Sequence, residues 1–247
     1  MDSEHSEGVS IPGVILQCFL ISLVFYLWSS PVIQPVKIMV VLFHEMSHGL
    51  MAIATGGRVL EITITADEGG ACETEGGTAL LIVGAGYLGS MFFGGLLLYL
   101  SKFRSSIPVV YTFLTLTVGA AIFSVLHDPY SRTFATGLAG TFIFVGLLSP
   151  AFIGAIFLRM VGTVSCLYSI LDIYWDVLAS NRPGIAAEND ALVFASLAGI
   201  SPQTVGFLWL GASVAYFFVI LKTVVKVAVK EGQPLVPRRE RTAPVRA

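Results

Sequence analysis

Charge is scarce in this sequence. Of 247 residues, 14 are Lys or Arg and 16 are Asp or Glu, together 12%, against about 25% in soluble domains. With 55% hydrophobic residues and a mean hydropathy of +0.83, an ordinary water-soluble domain is excluded. The formal net charge of −2 leaves no basic surface able to neutralise a row of phosphates, which argues against a nucleic-acid partner. Cysteine is scarce too: Cys18, Cys72 and Cys166 are too few and too scattered for a disulfide framework. A positively charged leader is missing as well, since the first ten residues, MDSEHSEGVS, are acidic. The apolar run that follows is therefore expected to stay in the protein rather than serve as a cleaved signal.

What the chain has instead is long apolar blocks, each able to cross a hydrocarbon core of about 30 Å as a helix. Seven candidate spans emerge: Ile11–Trp28, Val32–Ala54, Thr78–Leu100, Ile107–Leu126, Phe134–Leu148, Ala151–Leu178 and Val205–Val224. Ser29, Ser30 and Pro31 should turn the first two into a tight hairpin. A short amphipathic stretch, Asn189–Ile200, precedes the last span. Between the second and third spans, VLEITIT alternates apolar and polar residues as a half-exposed strand does, and the Gly- and acid-rich ADEGGACETEGG follows it. The expected fold is an all-α polytopic integral membrane protein of six to seven transmembrane helices, with a short β-hairpin after the second apolar block. Its parts are an acidic tail (1–10), one multi-span domain (11–225) and a basic, disordered tail (226–247). In a seven-span arrangement Lys37, Lys102, Arg104 and the C-terminal tail share a side, which the positive-inside rule makes cytosolic; the acidic N-terminus and hairpin would face the other way.

The second span contains FHEMSHG. His44 and His48 stand at i and i+4 on one helical face, where two imidazoles can reach one Zn²⁺ at about 2.0 to 2.1 Å, and Glu45 beside them can accept a proton from water. Ionisable groups at membrane depth are expensive unless they serve a function. A third ligand is needed. His5 falls in the polar tail and His127 in a loop, whereas Asp172 and Asp176 are the only acidic residues besides Glu45 within a span, one turn apart. Asp172 is the expected metal ligand, with Asp176 as the alternative or as its support. The literal GxGxxG of Gly84, Gly86 and Gly89 lacks the strand and downstream acid of a dinucleotide site. Gly86, Ser90 and Gly94 instead form a small-residue face for helix packing.

In order, HEMSH, the VLEITIT hairpin, AGYLGS and the LD of SILDIYWD resemble the motifs of the site-2 protease family of intramembrane zinc metallopeptidases, in particular its M50B-like branch. AGYLGS carries Tyr87 and Ser90 where the wider family has Pro and Asn, and two extra spans lie between the later motifs. The resemblance implies a zinc metalloprotease with Glu45 as the catalytic residue, Asp172 as third ligand, Gly86, Tyr87 and Ser90 as substrate-binding residues, and membrane proteins as substrates within the bilayer. The alternatives are a catalytically inactive relative that binds membrane partners, and a metal transporter.

Overall fold

The computed structural model describes residues 6–179 and 189–229. Its elements are β1 (Ser6–Val9), α1 (Ile11–Leu27), α2 (Gln34–Ala54), β2 (Arg58–Ile64), β3 (Gly70–Glu75), α3 (Ala79–Leu100), α4 (Ile107–Ser124), α5 (Pro129–Ile143), α6 (Ala151–Asp172), α7 (Asp190–Ala198), α8 (Pro202–Val225) and β4 (Lys226–Val229). Helix starts follow from local sequence. Asp128 accepts from Ser131 N–H, Asn189 from Ala191 N–H and Ser201 from Thr204 N–H, with Pro at the first turn of α5 and α8. π-helical turns, Phe144–Leu148 and Ile173–Ala179, extend α5 and α6. Among the described residues, six helices are long and apolar enough to cross a membrane: α2, α3, α4, α5, α6 and α8. The protein is a multi-pass integral membrane protein.

The centre of the bundle is α2, α3 and α6. Leu42, Leu98, Leu158 and Val164 are fully buried there. Backbones of α3 and α6 approach closely because glycines face each other: a Cβ on Gly162 would lie 2.5 Å from Gly94 O. Beside them Ser90 Oγ meets Ser169 Oγ at 3.0 Å and Ser165 Oγ donates to Ser90 O at 2.8 Å, so the polar groups of this face satisfy one another.

The hairpin β2–β3 is antiparallel, with Ile62 opposite Cys72 and Ile64 opposite Gly70. Its β2 edge is covered. Ile62 N–H donates to Val125 O at 2.8 Å and the buried Ile64 N–H to Ser131 Oγ at 2.8 Å, so the turn between α4 and α5 supplies the partners a third strand would. Among the described residues, no backbone hydrogen bond from outside the hairpin reaches β3.

The structure departs from the seven-span expectation at α1. Thr78 N–H donates to Thr55 Oγ1, so α2 ends where α3 begins, and α2 therefore begins on the side where α3 ends. On that side Lys102, just past α3, bonds Thr223 O near the end of α8. There too Ser10 N–H donates to Val225 O and β1 pairs with β4. The start of α1 and the start of α2 thus share a side, and α1 does not cross. Its 17 residues are apolar all round, as suits a helix within one leaflet. This moves β1 to the side of Lys37, Lys102, Arg104 and β4. Pairing of β4 also corrects the expectation that disorder begins at residue 226; residues 230–247 lie outside the described residues.

Candidate metal centre

His44 and His48 lie midway along α2, and the periodicity of the helix aims both rings at α3. His48 Nδ1 is 2.7 Å from Ile82 O. A carbonyl only accepts, so Nδ1 carries a proton, and in the neutral ring the Nε2 lone pair points the other way. It points at Asp190. Asp190 Oδ2 is 2.9 Å from His44 Nε2 and 3.1 Å from His48 Nε2, and the three ligand atoms lie within 4.8 Å of one another. A lone pair facing a carboxylate oxygen at 3.1 Å needs a cation between them, a proton or a metal. Ligand atoms around a tetrahedral ion with bonds of about 2.0 to 2.1 Å sit about 3.3 Å apart, close to the observed separations.

Space for an ion comes from Gly86 on α3. A Cβ there would be 2.3 Å from His44 Nε2 and 2.5 Å from His48 Nε2, so the absent side chain leaves open the place where the two imidazoles converge. The residues present fit a tetrahedral zinc. Burial alone would raise the Asp190 carboxyl pKa, but the hydrogen bonds and charges of the two histidines overcome it and hold the group well below the usual range.

These groups open into a cavity of about 990 Å³ between α2, the hairpin, α3, the end of α6 and α7. Glu45, buried, lines it together with Gly70, Cys72, Tyr87, Tyr168 and Asp172. The Tyr87 ring meets His44 edge-on at 4.7 Å. Burial, with the Glu45 charge nearby, pushes the Cys72 thiol up to about 12, so it stays protonated and is a poor ligand or nucleophile at neutral pH.

Of the residues expected from sequence, the structure brings His44, His48, Glu45, Gly86 and Tyr87 together. The carboxylate beside the imidazoles is Asp190, and this corrects the choice of Asp172. Asp172 ends α6 in the cavity wall, outside the His–His–Asp cluster. Asp176 belongs to the π-helical turn, and its side chain is outside the described residues, as is His5. His127 is exposed between α4 and α5. Ser90 is buried against Gly86 O, Tyr87 O and Ser169, so its hydroxyl serves helix packing and not the cavity. Asp190 was hidden because α7 has only nine residues, too short to register as a span. Its signal was the capping pair Asn189–Asp190 ahead of an apolar stretch.

A family model described as Peptidase M50B-like matches residues 17–220. The chain belongs to the Peptidase M50B-like family. Comparison with curated proteins and with solved structures gave no match. Membership makes it a membrane protein of a metallopeptidase family, and residues 17–220 include every member of the candidate centre, from His44 to Asp190.

Proposed function

We propose that this protein is an intramembrane zinc endopeptidase that hydrolyses peptide bonds of membrane-embedded proteins. One observation carries the reading: His44 Nε2, His48 Nε2 and Asp190 Oδ2 converge on a point that Gly86 leaves open, inside a cavity that Glu45 also lines. His44, His48 and Asp190 would hold the zinc. When bound, the ion supplies a Lewis acid for the scissile carbonyl and lowers the pKa of water.

Glu45 takes the proton of the attacking water as its oxygen joins the carbonyl carbon, and returns it to the amide nitrogen as the C–N bond breaks. The products are a carboxylate and an amine. Helical substrates hide their carbonyls in internal hydrogen bonds, so the cut segment has to be extended. The free edge of β3, whose residues Gly70, Ala71, Cys72 and Thr74 line the cavity, offers such a segment backbone partners, while the covered edge of β2 does not. A metal transporter would set polar ligands along a path through several spans; among the described residues there is one His/Asp cluster.

The test compares membranes of cells expressing wild type and Glu45→Gln by labelling of new protein N-termini. New termini inside apolar spans, present with wild type and absent with Glu45→Gln at equal metal content, are expected. Identical sets of termini would overturn the proposal.

A further inference from the structure

The Glu45 carboxylate is held by packing. Among the described residues no hydrogen bond fixes it, although it is buried and must aim at one point to serve as a base. What it packs against is the hairpin. Gln34, Lys37, Val41, Glu45 and Gly49 fall on one face of α2, and each meets the hairpin in turn. Gln34 Nε2 donates to Ala66 O at 2.7 Å, Lys37 Nζ pairs with Glu68 Oε1 at 2.8 Å, and Gly49 lies against Val59 and Cys72. Between them Gly70 sits on Val41 and Glu45. A Cβ on Gly70 would be 2.4 Å from Glu45 Oε1 and 2.8 Å from Val41 Cγ1, so the strand backbone itself is the wall behind the carboxylate.

The position of that wall is set two residues earlier. Glu68 has φ +69°, a conformation that costs a non-glycine residue energy and persists only where its surroundings impose it. The turn itself imposes it, through Glu68 N–H to Thr65 O at 3.3 Å and Thr65 N–H to Gly69 O at 2.8 Å, and Lys37 ties that turn to α2: its buried ammonium lies between the Glu68 carboxylate and the Trp28 ring, 5.0 Å from the ring centroid. Trp28 in turn packs on Tyr168 of α6, a wall of the cavity, at 6.0 Å between centroids.

We infer that the Lys37–Glu68 ion pair and Gly70 form one positioning device, which fixes how closely β3 approaches α2 and thereby aims Glu45 at the metal point. The inference rests on the metal reading above. Lys37, Glu68 and Gly70 are positioning residues: they act through Glu45 and would not touch the reacting atoms. Without the ion pair the strand can retreat, and Glu45 gains room for other rotamers; with a methyl group at 70 the carboxylate is pushed off its place.

The test uses the full chain in detergent, loaded with Co²⁺ in place of zinc, and reads bound cobalt per chain and the pH midpoint of the visible cobalt spectrum. Glu45→Gln defines the midpoint when the base is lost. Lys37→Met, Glu68→Gln and Gly70→Ala are expected to keep near one cobalt per chain and to move the midpoint toward that of Glu45→Gln, whereas Lys37→Arg keeps the wild-type midpoint. Wild-type midpoints in Lys37→Met, Glu68→Gln and Gly70→Ala would overturn the inference. So would loss of cobalt from Glu68→Gln, since the pair would then be holding the ligands. Wild type that takes up no cobalt or zinc would overturn the metal reading itself, and a Glu45→Gln midpoint equal to wild type would show that Glu45 has nothing to be aimed at.

Discussion

A methyl group at position 86 would put a carbon within 2.5 Å of both imidazole Nε2 atoms, in the space an ion shared by them must fill. Gly86→Ala is therefore expected to fold, because the helix gains an alanine, and to lose its metal: elemental analysis should fall from near one zinc per chain to near none. The two aspartates of the cavity separate in the same assay. Asp190→Asn should lose zinc, while Asp172→Asn should retain it; the reverse result would restore Asp172 as the ligand. His44 and His48 were legible in the sequence because their spacing alone fixes their common face. The proposed third ligand, Asp190, was not, since its partnership with them depends on how a short helix from a distant part of the chain is docked.

Among elements, the hairpin depends on helices outside the central bundle. The turn between α4 and α5 reaches β2 through Val125 O and Ser131 Oγ, so these two spans act as its lateral support. Ser131→Ala leaves the buried Ile64 N–H without its partner, a loss of about 1 to 3 kcal/mol. A lower melting temperature of the detergent-purified protein, at unchanged zinc content, is the expected outcome. The strand of this hairpin could be read from the alternation in VLEITIT, and the spans from apolar length, because both signals are local. That β2 would have its edge sealed while β3 stays open could not be read: Ser131 looks like one more polar residue near a helix start until its distance to Ile64 is known.

For the molecule as a whole, pairing of β1 with β4 places residues 6–9 and 226–229 on one side. Lys37, Lys102, Lys222 and Lys226 lie on that side with them, whereas Arg58, just past the end of α2, lies on the other. The positive-inside rule predicts that this side is the cytosolic one. In sealed vesicles of known orientation, a cysteine placed at Gly8 and one placed at Lys226 should react with a membrane-impermeant maleimide from the same, cytosolic side, and one at Glu73 from the opposite side. Labelling of residues 8 and 226 from different sides would mean that α1 crosses after all. Hydropathy could not have decided this, because 17 apolar residues score alike whether they traverse the bilayer or lie in one leaflet; the decisive contact joins opposite ends of the chain.

The hydrogen bond from His48 Nδ1 to Ile82 O bears on which substitutions the centre tolerates. In many metal sites the ring is oriented by a side-chain carboxylate, and a single change there scrambles the tautomer. Here the acceptor belongs to the main chain, so the identity of residue 82 does not enter. Any side chain that packs in the buried place of Ile82 and leaves the first turns of α3 in place preserves the lone pair of His48, and mutational scanning should find position 82 tolerant of other apolar residues where positions 44, 48, 86 and 190 accept no substitute.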